Sequence, residues 1–131
     1  MSVTANQSRS ILVVDDDAAV TQTFAQMLRT EGFTVRTASD AESGLTQAAE
    51  NRPDAIILDL RMPRVDGLSF LKRLRASEEH RLTPVAIVTG DYSLDEHLSA
   101  ELRQLGAESK FKPLWIEDLI SLAHSLLKVT H

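Results

Sequence analysis

Hydrophobic and polar positions along this chain alternate between two rhythms, a short apolar run and a helical stripe, and the switch recurs five times. Ile11-Leu12-Val13-Val14 is a continuous, largely β-branched run. Behind it Val20, Phe24, Met27 and Leu28 fall at helical spacing up to Gly32, which reads as a helix stop. Thr34 to Ala38 predicts a second, more polar strand. Ser39 and Glu42 have the spacing of a capping box and open a helix through Leu45, Ala48 and Ala49 that ends before Pro53. Ala55-Ile56-Ile57-Leu58 is apolar at every position. After a turn around Pro63, Asp66 caps a helix carrying Leu68, Leu71 and Leu74, and Pro84 opens the run Val85-Ala86-Ile87-Val88. Ser93 and Glu96 repeat the capping-box spacing ahead of Leu94, Leu98, Leu102 and Leu105, with Gly106 as the stop. A brief strand about Phe111 and a last helix, Ile116 through Leu127, finish the pattern.

Five consecutive βα units predict a doubly wound α/β domain with a parallel five-stranded sheet. The first, third and fourth strands are apolar on both faces, as central strands covered by helices on both sides must be. The alternating second strand belongs at one edge, and the fifth, carrying Lys110 and Lys112, at the other. No repeat, low-complexity stretch or internal linker interrupts the 131 residues, so the expected division is a polar tail over 1–9, one domain over 10–128 and a short tail over 129–131.

Composition narrows the chemistry. With 14 Lys and Arg against 19 Asp and Glu, the formal charge is −5, which works against direct binding of nucleic acid, whose affinity comes largely from clustered cations. Cysteine is absent, which excludes thiolate metal sites and thiol catalysis. Neither a signal core in Met1 to Ser10 nor a run of ~20 apolar residues is present, so a cytoplasmic chain with no membrane contact is expected. The glycines at 32, 44, 67, 90 and 106 are all isolated, leaving no Walker A or GxGxxG loop for a nucleotide.

In a doubly wound sheet, ligands sit at the carboxyl ends of the strands. The residues there are Asp15-Asp16-Asp17, Asp59, Thr89 and Lys112. Carboxylates from adjacent strand ends repel one another unless a cation shares them, and Mg²⁺ accepts one or two carboxylates while leaving positions for phosphate oxygens. A carboxylate beside Mg²⁺ can also attack phosphorus to form an aspartyl phosphate, with a lysine and a hydroxyl holding the transferred group. Each residue alone has an ordinary structural explanation: an acidic helix cap, a turn aspartate, a β-branched strand residue, a solvated lysine. Their placement at successive strand ends of one sheet is what no packing argument requires.

The segments ILVVDDD, IILDLRMPRVDG, AIVTGD and KFKPL, in that order, resemble the receiver domain of two-component response regulators, including the single-domain chemotaxis type, from Ser10 to about Leu127. The resemblance implies a flavodoxin-like fold with strand order 2-1-3-4-5. It makes Asp59 the phosphoacceptor. The Mg²⁺ ligands would be Asp16 directly, Asp15 through water, Asp59, and Arg61 by its backbone carbonyl. Thr89 and Lys112 would hold the phosphoryl group, and the Lys112–Pro113 peptide is cis in many such domains. The implied activity is phosphotransfer from a sensor histidine kinase or phosphotransfer protein, with no enzymatic turnover beyond the domain's own phosphorylation and dephosphorylation. The implied output is a protein partner read through the fourth helix, fifth strand and fifth helix, by a stand-alone monomer or weak dimer.

Three departures from the family pattern accompany it. Ser109 stands where receivers often carry Tyr or Phe, three residues before the lysine; the Gly106–Lys112 separation is about one residue short and Thr89–Gly106 about two long; and a charged pair, Arg61 and Asp91, flanks the acceptor. Tyr92 is the candidate substitute for the missing aromatic. Arg61 and Asp91, which flank the acceptor, are expected to tune dephosphorylation by admitting or blocking water, the alternative being a rim ion pair worth at most ~1 kcal/mol. His80, His97, His124 and His131 share no ligand spacing and read as surface histidines, and Trp115 is expected to pack at the start of the last helix, or else to rim a partner surface. Two other functions stay open: a receiver-like scaffold acting without phosphorylation, and a Mg²⁺-dependent phosphatase with an aspartyl nucleophile. The phosphatase pattern DxDxT is broken here, because Asp59-Leu60-Arg61 has Arg in place of the second Asp.

Overall fold

The structure is a computed structural model describing residues 9–60, 66–90, 96–112 and 114–128. Its elements follow the sequence rhythm: β1 (Ser10–Val14), α1 (Ala18–Thr30), β2 (Thr34–Ala38), α2 (Ala41–Glu50), β3 (Ala55–Leu58), α3 (Gly67–Ala76), β4 (Val85–Thr89), α4 (Glu96–Gln104), β5 (Ala107–Phe111) and α5 (Ile116–Lys128). All pairings are parallel, in the order β2-β1-β3-β4-β5, so the two polar strands occupy the two edges as expected.

The continuous apolar runs have a simple cause in the pleat. Successive side chains of a strand point to opposite faces, so a strand covered on both sides must be apolar at every position. Leu12, Val14, Ile56, Leu58, Val85 and Ile87 pack under α2, α3 and α4 with Phe70, Leu71, Leu74 and Leu102. Ile11, Val13, Ile57 and Val88 pack under α1 and α5 with Phe24, Leu28, Leu119 and Leu126.

Local chemistry sets the helix ends. Asp17 caps α1, accepting from the backbone N–H groups of Ala19 and Val20, and Asp66 caps α3 by accepting from Ser69 N at 3.0 Å. The expected cap of α2 is corrected: Asp40, in extended backbone, accepts from Ser43 N at 2.8 Å, so Ser39 lies one residue outside the cap. Glu42 then does not reach back to close a box but pairs with Arg73 at 2.7 Å across to α3. The Ser93 cap and Leu94 fall outside the described residues. Gly106, at φ +80°, turns the chain from α4 into β5 in the left-handed region that disfavours other residues.

Two further expectations are corrected. His80 is not at the surface: it is 3% exposed, in a single 3₁₀ turn (Glu78–His80), with Nδ1 3.1 Å from Thr83 Oγ1. Its turn is tied down by Arg75, whose guanidinium donates to the backbone carbonyls of His80, Thr83 and Leu105 at 2.9, 2.7 and 2.7 Å. His97 and His124 are exposed as expected, and His131 lies outside the described residues. Trp115 does not pack into the core: it is 68% exposed, because Leu119 and Leu122 on the inward stripe of α5 already fill that side.

The α3 N-terminus runs unusually close to the end of β3. Gly67 N–H donates to Leu60 O at 2.7 Å, and a Cβ on Gly67 would lie 2.8 Å from both Asp59 O and Leu60 Cα. Gly67→Ala is therefore expected to lower stability by ~1–3 kcal/mol. Urea unfolding of the variant measures it, and an unchanged midpoint would contradict the close contact.

Candidate functional site

Three main-chain hydrogen bonds, each one residue beyond a strand, hold the site together. Asp15 N donates to Ala38 O at 3.1 Å, Asp59 N to Val14 O at 2.9 Å, and Lys112 N to Thr89 O at 2.8 Å. The ladder thus carries past the last strand residues of β1, β3 and β5, and the side chains that follow are fixed by the sheet even though they lie outside it. This is the edge to which the sequence assigned them.

Asp15 and Asp59 are buried, at 4% and 7% exposure, while Asp16 is exposed. One carboxylate oxygen from each of the three lies within 4.8 Å of the others. Lys112 Nζ sits at 2.8 Å from Asp15 Oδ2 and 3.6 Å from Asp59 Oδ1. Asp15 spends its other oxygen on Asp17 N at 2.9 Å, which links the site to the start of α1. The acidic run after β1 therefore divides: Asp17 is the helix cap, and Asp15 and Asp16 are turned to the site. Thr89 is fully buried at the end of β4, beside Phe111 in the sheet register. Ser109 pairs with Ile87, two residues short of the strand end, and is half-buried. Arg61, Asp91, Tyr92 and Pro113 lie outside the described residues, and with them the expected metal carbonyl, the dephosphorylation pair, the substitute aromatic and the lysine–proline peptide.

Sequence reasoning missed Gly67 as a site element, although a glycine directly behind the helix cap Asp66 was its visible signal; it lets α3 approach the Asp59 backbone.

The electrostatics follow from this crowding. Burial pushes the Asp59 carboxyl up to about 6, the Asp15 charge adds to the rise, and Lys112 opposes it. Burial disfavours the Lys112 ammonium too, but its hydrogen bond to Asp15 and the Asp59 charge outweigh that and hold its pKa above the usual lysine value. Three carboxylates against one ammonium leave a formal deficit of two positive charges once Asp59 is ionised. Two like charges this close cost on the order of 3 kcal/mol at a surface-like dielectric. All the donors are oxygens, the set a hard divalent ion such as Mg²⁺ prefers, so the residues fit that ion in both charge and chemistry.

This imbalance gives a sign to the pH dependence. A carboxyl whose folded pKa is raised favours the folded state while protonated, below its ordinary value near ~4, and loses that advantage as pH rises through the folded value of about 6. Asp59→Asn should therefore be more stable than wild type above pH 6 in metal-free buffer, by ~1–2 kcal/mol after allowance for screening and for Lys112. The gap should close as pH falls toward ~4. Thermal unfolding across that range checks it, and a gap that widens toward acid would contradict the raised pKa.

Comparison with known proteins agrees with this geometry. Residues 11–124 match the family model described as the response regulator receiver domain. The transcriptional regulatory protein PrrA of Mycobacterium tuberculosis is 38% identical over 122 residues, 92% of this chain and 51% of that protein. The response regulator MprA of Mycobacterium sp. (strain KMS) is 36% identical over 121 residues, again 92% and 51%. The chain thus spans about half the length of these curated relatives. The expectation against nucleic acid stands only on the charge of these 131 residues, and the name of the first relative tells against extending it to any longer protein. Among solved structures, chemotaxis protein CheY4 of Vibrio cholerae superposes with a TM-score of 0.85 at 29% identity, covering 92% of this chain and 99% of that one. A response regulator from Chloroflexus aurantiacus gives 0.82 at 30%, covering 92% and 98%. With the 2-1-3-4-5 sheet and the acidic cluster at its carboxyl edge, these matches show that the chain belongs to the response regulator receiver domain family of two-component systems.

Proposed function

We propose that this chain is a phosphorylation-controlled signalling module that accepts a phosphoryl group on Asp59 from a sensor histidine kinase or phosphotransfer protein and passes the change to a protein partner through α4, β5 and α5. The observation that carries this reading is the approach of Lys112 to both Asp15 and Asp59 at the edge where Asp16 and Thr89 also end. In the transfer, an Asp59 carboxylate oxygen forms the bond to phosphorus as the phosphorus–nitrogen bond of a phosphohistidine breaks, and the electron pair leaves with the imidazole. Asp15, Asp16 and Asp59, with the Arg61 carbonyl as a further ligand, would hold Mg²⁺, which when bound would compensate the charge gathered at the phosphoryl oxygens. Lys112 gives one phosphoryl oxygen a charged donor, and the Thr89 hydroxyl gives another a neutral one. Drawing Thr89 toward the acceptor biases the end of β4 and the neighbouring α4–β5 face, the element a partner reads.

The scaffold reading leaves the assembled Lys112–Asp15–Asp59 cluster without a purpose, and the phosphatase reading lacks a second aspartate two residues past Asp59. Arg61 and Asp91 are assigned the tuning of dephosphorylation, and the phosphoprotein lifetimes of Arg61→Ala and Asp91→Ala decide it: an unchanged lifetime in both removes the assignment.

The central test is intact-mass spectrometry after incubation with acetyl phosphate. Wild type should gain the mass of one phosphoryl group in Mg²⁺ and none in excess chelator. Asp59→Asn should gain none in either condition. Lys112→Ala should gain it at least ~10-fold more slowly, the loss of about one charged donor to the transferred group. A gain that survives Asp59→Asn would overturn the assignment of the acceptor.

A further inference from the structure

β2 ends the sheet order, with β1 on one side and no strand on the other among the described residues. A strand in that position presents backbone donors and acceptors to any extended chain that comes alongside. Which residues face outward follows from the ladder. Thr34 N–H donates to Arg9 O at 2.9 Å, and Ala38 O accepts from Asp15 N–H at 3.1 Å. Alternate residues of a strand address opposite sides, so Thr34, Arg36 and Ala38 face β1, and Val35 and Thr37 turn their N–H and C=O groups away from the sheet. Both outward carbonyls are already occupied, and by side chains from the two faces of the sheet. Arg29, in the last turn of α1, donates a guanidinium N–H to Val35 O at 2.8 Å. Gln47 of α2 donates its amide to Thr37 O at 2.6 Å. The helices themselves are held elsewhere, α1 by Phe24, Ala25 and Leu28 and α2 by Ala41 and Ala48.

We infer that Arg29, Gln47 and Arg36 together close the outer side of β2 against strand addition by a second copy of the chain. The strand they cover is a strong pairing element, since Thr34, Val35 and Thr37 are all β-branched. An antiparallel pair of β2 strands that uses both outward residues sets Val35 of each copy opposite Thr37 of the other. That register has one further consequence: Arg36 falls directly opposite the Arg36 of the second copy, at the position where side chains of an antiparallel pair come closest. Arg36 is exposed, so two like charges meet there. Arg29 and Gln47 thus occupy the acceptors that a second strand needs, and Arg36 penalises the register in which it would reach them. The three side chains come from α1, α2 and β2, and they converge on one contact by two different means.

Sedimentation velocity over a concentration series, on the full chain and on variants, tests the inference. Methionine keeps the length of Arg29 and Gln47 but has no donor. Arg29→Met/Gln47→Met should therefore associate more tightly than wild type, and more tightly still in about 1 M NaCl, where the screening length falls to ~3 Å and the Arg36 repulsion fades. Adding Arg36→Thr should tighten association by about tenfold over the double variant and abolish its salt dependence. Circular dichroism should show the variants folded, since Arg29 and Arg36 are exposed and Gln47 is half-buried. Hydrogen exchange followed by NMR locates the contact: the Val35 and Thr37 amides should become protected as concentration rises. If Arg29 and Gln47 only brace their helices, exchange in β2 would quicken with no dependence on concentration. A folded triple variant that associates no more than wild type overturns the inference, as does association that leaves those two amides unprotected. Should the triple variant not fold, the double variant in salt is held to the same two outcomes. None of these results depends on phosphorylation of Asp59.

Discussion

A sheet in which all strands run the same way must deliver all of its carboxyl ends to one edge, and the chemistry of this protein depends on that constraint. Here Asp15, Asp59 and Lys112 each stand one residue past a strand, each held by a ladder hydrogen bond that continues beyond the last sheet residue. The two central strands that supply the carboxylates are buried on both faces, which fixes their register against slippage. Placement of the acidic cluster is thus a by-product of the way the core packs, and the surface loops need only leave the edge open.

The same edge is where the fold tolerates an electrostatic cost. Two buried carboxylates face each other with one lysine between them, and the lysine satisfies Asp15 more closely than Asp59. Asp59 is left as the least compensated of the buried pair, with its pKa raised by burial and by its neighbour. A neighbouring positive charge would favour its ionised form, as Lys112 already does in part. At the opposite edge the protein spends its polar interactions differently: the half-buried Arg75 satisfies three carbonyls and leaves Leu82 outside.

Much of this was readable in the residues, for identifiable reasons. β1, β3 and β4 announce themselves because two-sided burial demands an unbroken apolar run, and β2 matches its expected limits because its alternation marks an edge. Asp15, Asp59 and Thr89 were legible because each terminates such a run, and Lys112 because it follows the brief last strand. What the sequence hides are choices between near-equivalents and contacts across long separations. Ser39 and Asp40 are adjacent capping residues, and the extended backbone at Asp40 selects the second. Trp115 looks like a core residue by type, yet the inward stripe of α5 is complete without it. His80 and Arg75 were obscure because their partners are backbone carbonyls and a threonine hydroxyl, and no side-chain pattern records those.

The bond between Lys112 and Asp15 spans 97 residues of chain. Synthesis delivers Asp15 early, whereas Lys112 follows β5, the last strand of the sheet in chain order. Closing so long a loop has an entropic cost that local helices never meet, so contacts of this kind form late in folding. A molecule whose sheet lacks its final edge strand holds three unneutralised carboxylates and no lysine. Completion of the site is therefore also completion of the fold.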